Sequence, residues 1–210
     1  MRTAFKSLFL TFCFLSSLAF AQQFEGELTI EALGDQGEKE TILMVIGNGS
    51  SKIVAETPEG KVELMVKNEK LFVIMHAAQM IMEMPVKPED ANEAESNAGD
   101  FIKTSEVKNI LGYDCVLYTT KDEEGTEMDL WITDKLGSFM FLDAPAFKGI
   151  NKNNSDIDFK SFFPMQMYRT IDGNKEEAWS VTEIKERTVD ASEFEVPKGY
   201  SNLSDVLKGQ

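Results

Sequence analysis

Period-two alternation of apolar and polar residues, cut at short intervals by turn residues, limits this chain more than any other feature. From Phe24 it runs Phe24-Glu25-Gly26-Glu27-Leu28-Thr29-Ile30-Glu31, and between Lys61 and Val66 the even positions Val62, Leu64 and Val66 fall on one side. At that period successive side chains point to opposite faces of a sheet. Gly34-Asp35-Gln36-Gly37, Asn48-Gly49-Ser50, Pro58-Glu59-Gly60, Asn68-Glu69, Asp122 to Gly125 and Asp172-Gly173-Asn174 carry the residue types that reverse a chain. The intervals between them leave no room for the helical crossovers that parallel strands need, so the sheet is predicted to be antiparallel.

Strands are expected at Thr41 to Ile46, Lys52 to Thr57, Lys61 to Val66, Leu71 to Met75 and Met80 to Met84. Further strands follow at Glu106 to Lys108, Tyr113 to Tyr118, Glu127 to Ile132, Gln166 to Ile171 and Glu177 to Arg187. Phe194-Glu195-Val196-Pro197 is expected to close the sheet. Three stretches break the rhythm. Residues 85–100 hold Pro85, Pro88 and several acids, and read as an acidic loop insertion. Gly137 to Pro164 is irregular and crowded with Phe, with Ser155-Asp156 as an N-cap before Ile157 to Phe163, and Asn202 to Leu207 is expected to form a short terminal helix. The predicted fold is therefore all-β dominated, one domain over residues 22–210, with a few short helices.

Composition supplies the exclusions. The chain is 42% hydrophobic, too apolar for a disordered acidic polymer, and its 36 acids against 21 bases give −15, which repels nucleic-acid phosphates. Arg2 and Lys6 precede an apolar run from Leu8 to Leu18 that ends in Ala19-Phe20-Ala21, the small-x-small pattern of a secretory signal cleaved after Ala21. That run is shorter than the ~20 residues of a membrane span, and later apolar runs are shorter still, so no integral membrane protein is expected. The expected location is the periplasm or the exterior. Cys13 does not fit a lipoprotein box, because Phe12 stands where a small residue is required. Loss of the signal leaves Cys115, which cannot form an internal disulfide and is expected to be buried as a small apolar side chain.

Several segments, in order, resemble a family of secreted or envelope proteins of Gram-negative bacteria, the domain of unknown function 4412. They are Phe24-Glu25-Gly26, Lys108-Asn109-Ile110-Leu111-Gly112-Tyr113-Asp114-Cys115, Trp131-Ile132-Thr133-Asp134-Lys135-Leu136-Gly137 and Phe194-Glu195-Val196-Pro197-Lys198-Gly199-Tyr200. The resemblance implies an architecture similar to the periplasmic lipoprotein carriers: a curved antiparallel sheet, or incomplete β-barrel, around an apolar cavity plugged by short helices. It implies no catalytic residues. The chain departs from the family pattern near residues 80–84, where Met stands in place of an aromatic.

The candidate ligand surface is the Met and Phe content itself. Met is unbranched and polarizable, so a Met-lined wall can remould around acyl chains of different shape. Met80, Met82 and Met84 share one strand face, and Met65, Met75, Phe139, Phe141, Phe162 and Phe163 are expected to complete the lining. The bland use of the same residues is an ordinary filled core. Thioethers with His76 nearby also invite Cu(I), but period-two spacing sets the three sulfurs of one strand ~7 Å apart, too far to meet one ion without another segment. Asn151 to Asp158 and Asp122 to Asp129 are rich in oxygen donors yet lack the calcium-loop pattern. With one His, one thiol and no nucleophile motif, no catalytic site, metal ligand or cofactor is assigned. The expected function is a non-catalytic periplasmic module whose apolar cavity takes a lipid or lipidated partner. The alternatives are an envelope structural protein without a ligand and, below it, copper binding by the Met cluster.

Overall fold

The computed structural model describes residues 24–34, 37–85, 101–122, 124–137, 139 and 162–203. The predicted signal segment, residues 86–100 of the predicted acidic loop, residues 157–161 of the predicted helix and residues 204–207 of the predicted terminal helix lie outside them, as does Phe141, whereas Pro85 ends a strand. The described residues build one sheet from β1 (Gly26–Leu33), β2 (Lys39–Gly47), β3 (Ser50–Thr57), β4 (Gly60–Lys67), β5 (Lys70–Met75), β6 (Met80–Pro85), β7 (Ile102–Ile110), β8 (Tyr113–Lys121), β9 (Glu127–Thr133), β10 (Phe163–Ile171), β11 (Asn174–Glu186) and β12 (Ser201–Asn202). The order is β12-β6-β5-β4-β3-β2-β1-β11-β10-β9-β8-β7. Every pairing is antiparallel except the short parallel contact of β12 with β6. The terminal strands of this order do not pair with each other, so the sheet is not closed into a barrel. No helix among the described residues is long and apolar enough to cross a membrane.

Two-residue hairpins at Asn48-Gly49 and Asp172-Gly173 place both central residues at positive φ, the geometry whose twist matches the flanking strands and which Asn-Gly and Asp-Gly favour. Ladder partners share a face. One apolar row therefore crosses seven strands, Met82–Val73–Leu64–Ile53–Met44–Leu28–Ile184. This face carries the larger buried cluster, into which Phe139, Phe162, Phe163 and Trp179 pack from the β9–β11 half. Phe139 meets Phe163 and Trp179 edge-on at 5.5 and 5.3 Å, pairings worth about 0.5–1.5 kcal/mol each beyond burial. The buried Trp179 indole donates to the Pro164 carbonyl at 3.0 Å. Bulges bend the sheet around this aromatic group: Thr182 and Ala178 are the extra residues of β11, opposite Thr29/Ile30 and Met167/Tyr168, and Met165 is the extra residue of β10 opposite Trp131/Ile132.

The reverse face of β2–β6 is apolar too, and the chain after β11 covers it. Val45, Met65, Ile74 and Ile81 form a second cluster with Val189 and Phe194, against which Phe72, Val196 and Tyr200 pack. The predicted strand at Phe194 is instead the last residue of a 3-10 turn, Ala191–Phe194. Its start is fixed by a capping box: the Ser192 N–H donates to Asp190 Oδ1 at 2.8 Å and the Asp190 N–H donates to Glu193 Oε1 at 3.1 Å. Asn202, expected in a helix, pairs in β12 with Ile81.

Gly47 sits directly beneath this strap, where an added Cβ would lie 2.7 Å from Val189 Cβ. Gly47→Ala is expected to destabilise the fold by about 1–3 kcal/mol through overpacking, read from the midpoint of urea unfolding. An unchanged midpoint would show that the strap does not bear on the sheet there.

Candidate ligand-binding face

The sequence-predicted lining residues divide between the two faces. Met75, Met80, Met82 and Met84 lie together on the aromatic face, because Met75 opposes Met80, Val73 opposes Met82 and Leu71 opposes Met84. All four are half-buried, and Val62, Leu64, Leu71 and Val73 beside them are also only partly covered. Phe139, Phe162 and Phe163 are on that face as well, fully buried in its core. Met65 is not. It opposes Lys52 and Phe72 on the reverse face and is buried under the strap. The sequence contained this distinction, since Met65 has the opposite parity to Val62, Leu64 and Val66 in β4. None of the described members of the predicted set lines either of two open hollows at the sheet ends. One, of about 490 Å³, is bordered by Phe24, Glu25, Tyr113, Lys135, Glu186, Arg187 and Thr188. The other, of about 550 Å³, is bordered by Ile102, Thr119, Thr120, Lys121, Glu127, Met128 and Asp129.

The first hollow is polar, with its charges already engaged. Tyr113 Oη donates to Glu186 Oε1 at 3.1 Å, and burial together with that carboxylate raises the phenol above its ordinary range. Arg187 donates to Glu193 and Glu27 at 2.6 and 2.8 Å, which hold the guanidinium firmly charged. The contact of Tyr113 with Glu186 joins β8 to β11, which are not neighbours in the strand order.

His76 points away from the methionines. Its Nδ1 lies 3.0 Å from Tyr200 Oη and its Nε2 3.1 Å from Glu63 Oε1, both on the strap-covered face. Glu63 is itself buried, which pushes its carboxyl up, but the hydrogen bond from Lys61 and the charges of Lys52, Lys61 and His76 outweigh burial and hold it below the ordinary range. Sequence reasoning missed this cluster because Tyr200 lies 124 residues from His76. Asp122, an oxygen donor considered for calcium, accepts from the Glu124 and Thr126 N–H groups and from Arg169 at 2.9–3.0 Å. Those bonds overcome the burial that would raise its pKa. The stretch Asn151 to Asp158 lies outside the described residues. No group of three or more His, Cys, Asp or Glu is placed to hold a metal among the described residues.

Cys115 is fully buried, and its Sγ donates to the Tyr113 carbonyl at 3.4 Å. Desolvation first, then the Asp114 charge, push the thiol up to about 11, which leaves little thiolate at neutral pH.

The depressed Glu63 carboxyl fixes the sign of one pH effect. Its ion pairs contribute stability that is complete above the ordinary carboxylate pKa and is lost as pH falls through the lower folded value. Glu63→Gln is therefore expected to cost about 2 kcal/mol at pH 7 and progressively less toward pH 3, followed by thermal unfolding across that range. A gap between variant and wild type that does not narrow on acidification would contradict the assignment. Cys115 is expected to resist a disulfide-exchange reagent at pH 8 in the folded protein and to react within minutes in denaturant.

In three dimensions the chain is similar to an uncharacterized conserved protein from Thermus thermophilus, with a TM-score of 0.54 at 8% identity, covering 87% of this chain and 91% of that one. It is also similar to part of PNGF-II, with a TM-score of 0.51 at 13% identity, covering 88% of this chain but 32% of that one, so it spans about a third of that protein. These likenesses show the fold alone. No curated protein matches the sequence. The family described as Domain of unknown function (DUF4412) matches residues 24–200, and the chain belongs to that family.

Proposed function

We propose that the chain is an exported, non-catalytic binding module that holds a lipid, or the acyl chain of a lipidated partner, on the aromatic face of β4–β6. One observation carries this reading: the row of apolar partners that is fully buried at Met44 and Leu28 continues to Val73 and Met82 as half-buried side chains, flanked on the same face by half-buried Met75, Met80 and Met84. An apolar surface left partly open at one end of a packed core suits a flexible hydrocarbon, and thioethers adapt to one without a fixed shape. The aromatic end of the same face, held edge-to-face, gives a rigid floor against which such a chain would stop. An open, bent sheet of this kind is the form in which the likeness to lipoprotein carriers is proposed. The leading segment with its small-x-small end supports a periplasmic or secreted setting.

The test is native mass spectrometry of protein expressed with its leader and purified gently from the periplasm of a Gram-negative host. Acyl species are expected to co-purify and to be displaced by detergent. Met82→Asp places a charge on the open part of the face and is expected to weaken acyl retention about tenfold or more, with the circular dichroism of the sheet unchanged. Wild-type protein that never carries an acyl adduct would overturn the reading and leave the envelope structural role.

A further inference from the structure

We propose that Met75, Met80 and Met82 form a thioether site for a single Cu(I) ion. The methionines of the described residues fall into two groups. Met44, Met65, Met128, Met165 and Met167 are buried to 0 or 1% exposure, whereas Met75, Met80, Met82 and Met84 are half-buried and share one face of β5 and β6. Along β6 alone the thioethers are too far apart to converge, with side chains on one face about 7 Å apart. The ladder removes that obstacle. Met75 on β5 directly opposes Met80, which brings their Cβ atoms within about 4.5–5.5 Å, and Met82 stands one same-face position along β6 and diagonal to Met75, at about 7–8 Å. The three Cβ atoms thus mark a compact triangle, and each sulfur, two bonds further out on a flexible chain, can turn toward its centre.

The neighbours leave this triangle to sulfur. Glu83, between Met82 and Met84, projects to the reverse face and is paired with Lys70 at 2.6 Å. His76, one residue after Met75, is turned to Glu63 and Tyr200 on that same reverse face. A site of neutral thioethers, to which neither the Glu83 carboxylate nor the His76 imidazole is turned, selects a soft monovalent ion, Cu(I) or its surrogate Ag(I), over Zn(II), Cu(II) or calcium. The chain's charge of −15 raises the local concentration of cations around it. Binding is simple coordination and needs no oxidant or reductant beyond supply of the metal as Cu(I).

The experiment titrates the exported protein with Cu(I), without oxygen, against a chromogenic Cu(I) chelator, with Ag(I) adducts counted by native mass spectrometry. One ion per chain is expected. Met75→Leu and Met80→Leu conserve volume and should fold normally, and each is expected to weaken Cu(I) at least tenfold. Met65→Leu, on the reverse face, should leave affinity unchanged. X-ray absorption at the copper edge should show a sulfur shell alone. A wild-type chain that fails to compete with the chelator, retention of affinity in the Met75→Leu, Met80→Leu double variant, or a nitrogen shell implicating His76 would each overturn the proposal. Acyl retention is read from the metal-free wild-type chain by native mass spectrometry and Cu(I) affinity from the chelator competition, so failure of copper binding and failure of lipid binding are read separately.

Discussion

A single hydrogen-bonded layer has two faces, and in this protein both faces of β2–β6 are apolar. Alternation normally gives an antiparallel sheet one dry side and one wet side. Here the reverse face contains Val45, Met65, Phe72, Ile74 and Ile81, which no second sheet among the described residues covers. The covering falls to an irregular strap, and irregular backbone brings carbonyls that need donors. The sheet supplies them: Asn48 of the β2–β3 turn donates to the Val189 carbonyl at 2.6 Å, and on the reverse face Lys52 donates to that of Glu193 at 2.8 Å and Lys67 to that of Phe194 at 3.0 Å. The long lysine stems pack on apolar neighbours while their ends reach across. Two lysines are thereby accommodated on a face that is largely apolar.

The same division of labour separates the ends of the opposite face. In the β9–β11 half, Phe139 meets Phe163 and Trp179 edge-to-face, and Phe162 meets Phe101 and Tyr118 in the same way. In the β5–β6 half the large side chains are methionines at the side of the sheet where β12 pairs with only Met80 and Ile81. Rigidity is concentrated where the bulges bend the sheet, and adaptability where the layer runs out. A surface that must accept something flexible is better placed at the second end than the first.

The parts of this fold legible in the sequence are those decided within a few residues. Asn48-Gly49 and Asp172-Gly173 announce their hairpins because only certain residues tolerate positive φ, and the strands between turns follow from side-chain parity. Parity also told the face of Met65, and grouping it with Met80 through shared chemistry overlooked that. The Asp190 to Glu193 capping box was likewise present in the letters, but Phe194-Glu195-Val196 alternates well enough to pass for a strand. What could not be read are choices made by distant partners. Nothing near His76 identifies Tyr200 or Glu63 as its neighbours, and nothing in β6 alone says that Met75 stands across from Met80.

Methionine makes the two proposed uses of β5 and β6 compatible rather than competing. A thioether is apolar enough to continue a buried row and soft enough to bind a monovalent ion, and which property shows depends on what surrounds it. At Met44 and Met167 close packing leaves the sulfur no role except filling space. At Met75, Met80 and Met82 the same atom is partly open and has like neighbours across the ladder. Leucine at these positions would serve a hydrocarbon almost as well, since it matches methionine in volume. What methionine adds at these positions is sulfur and conformational freedom.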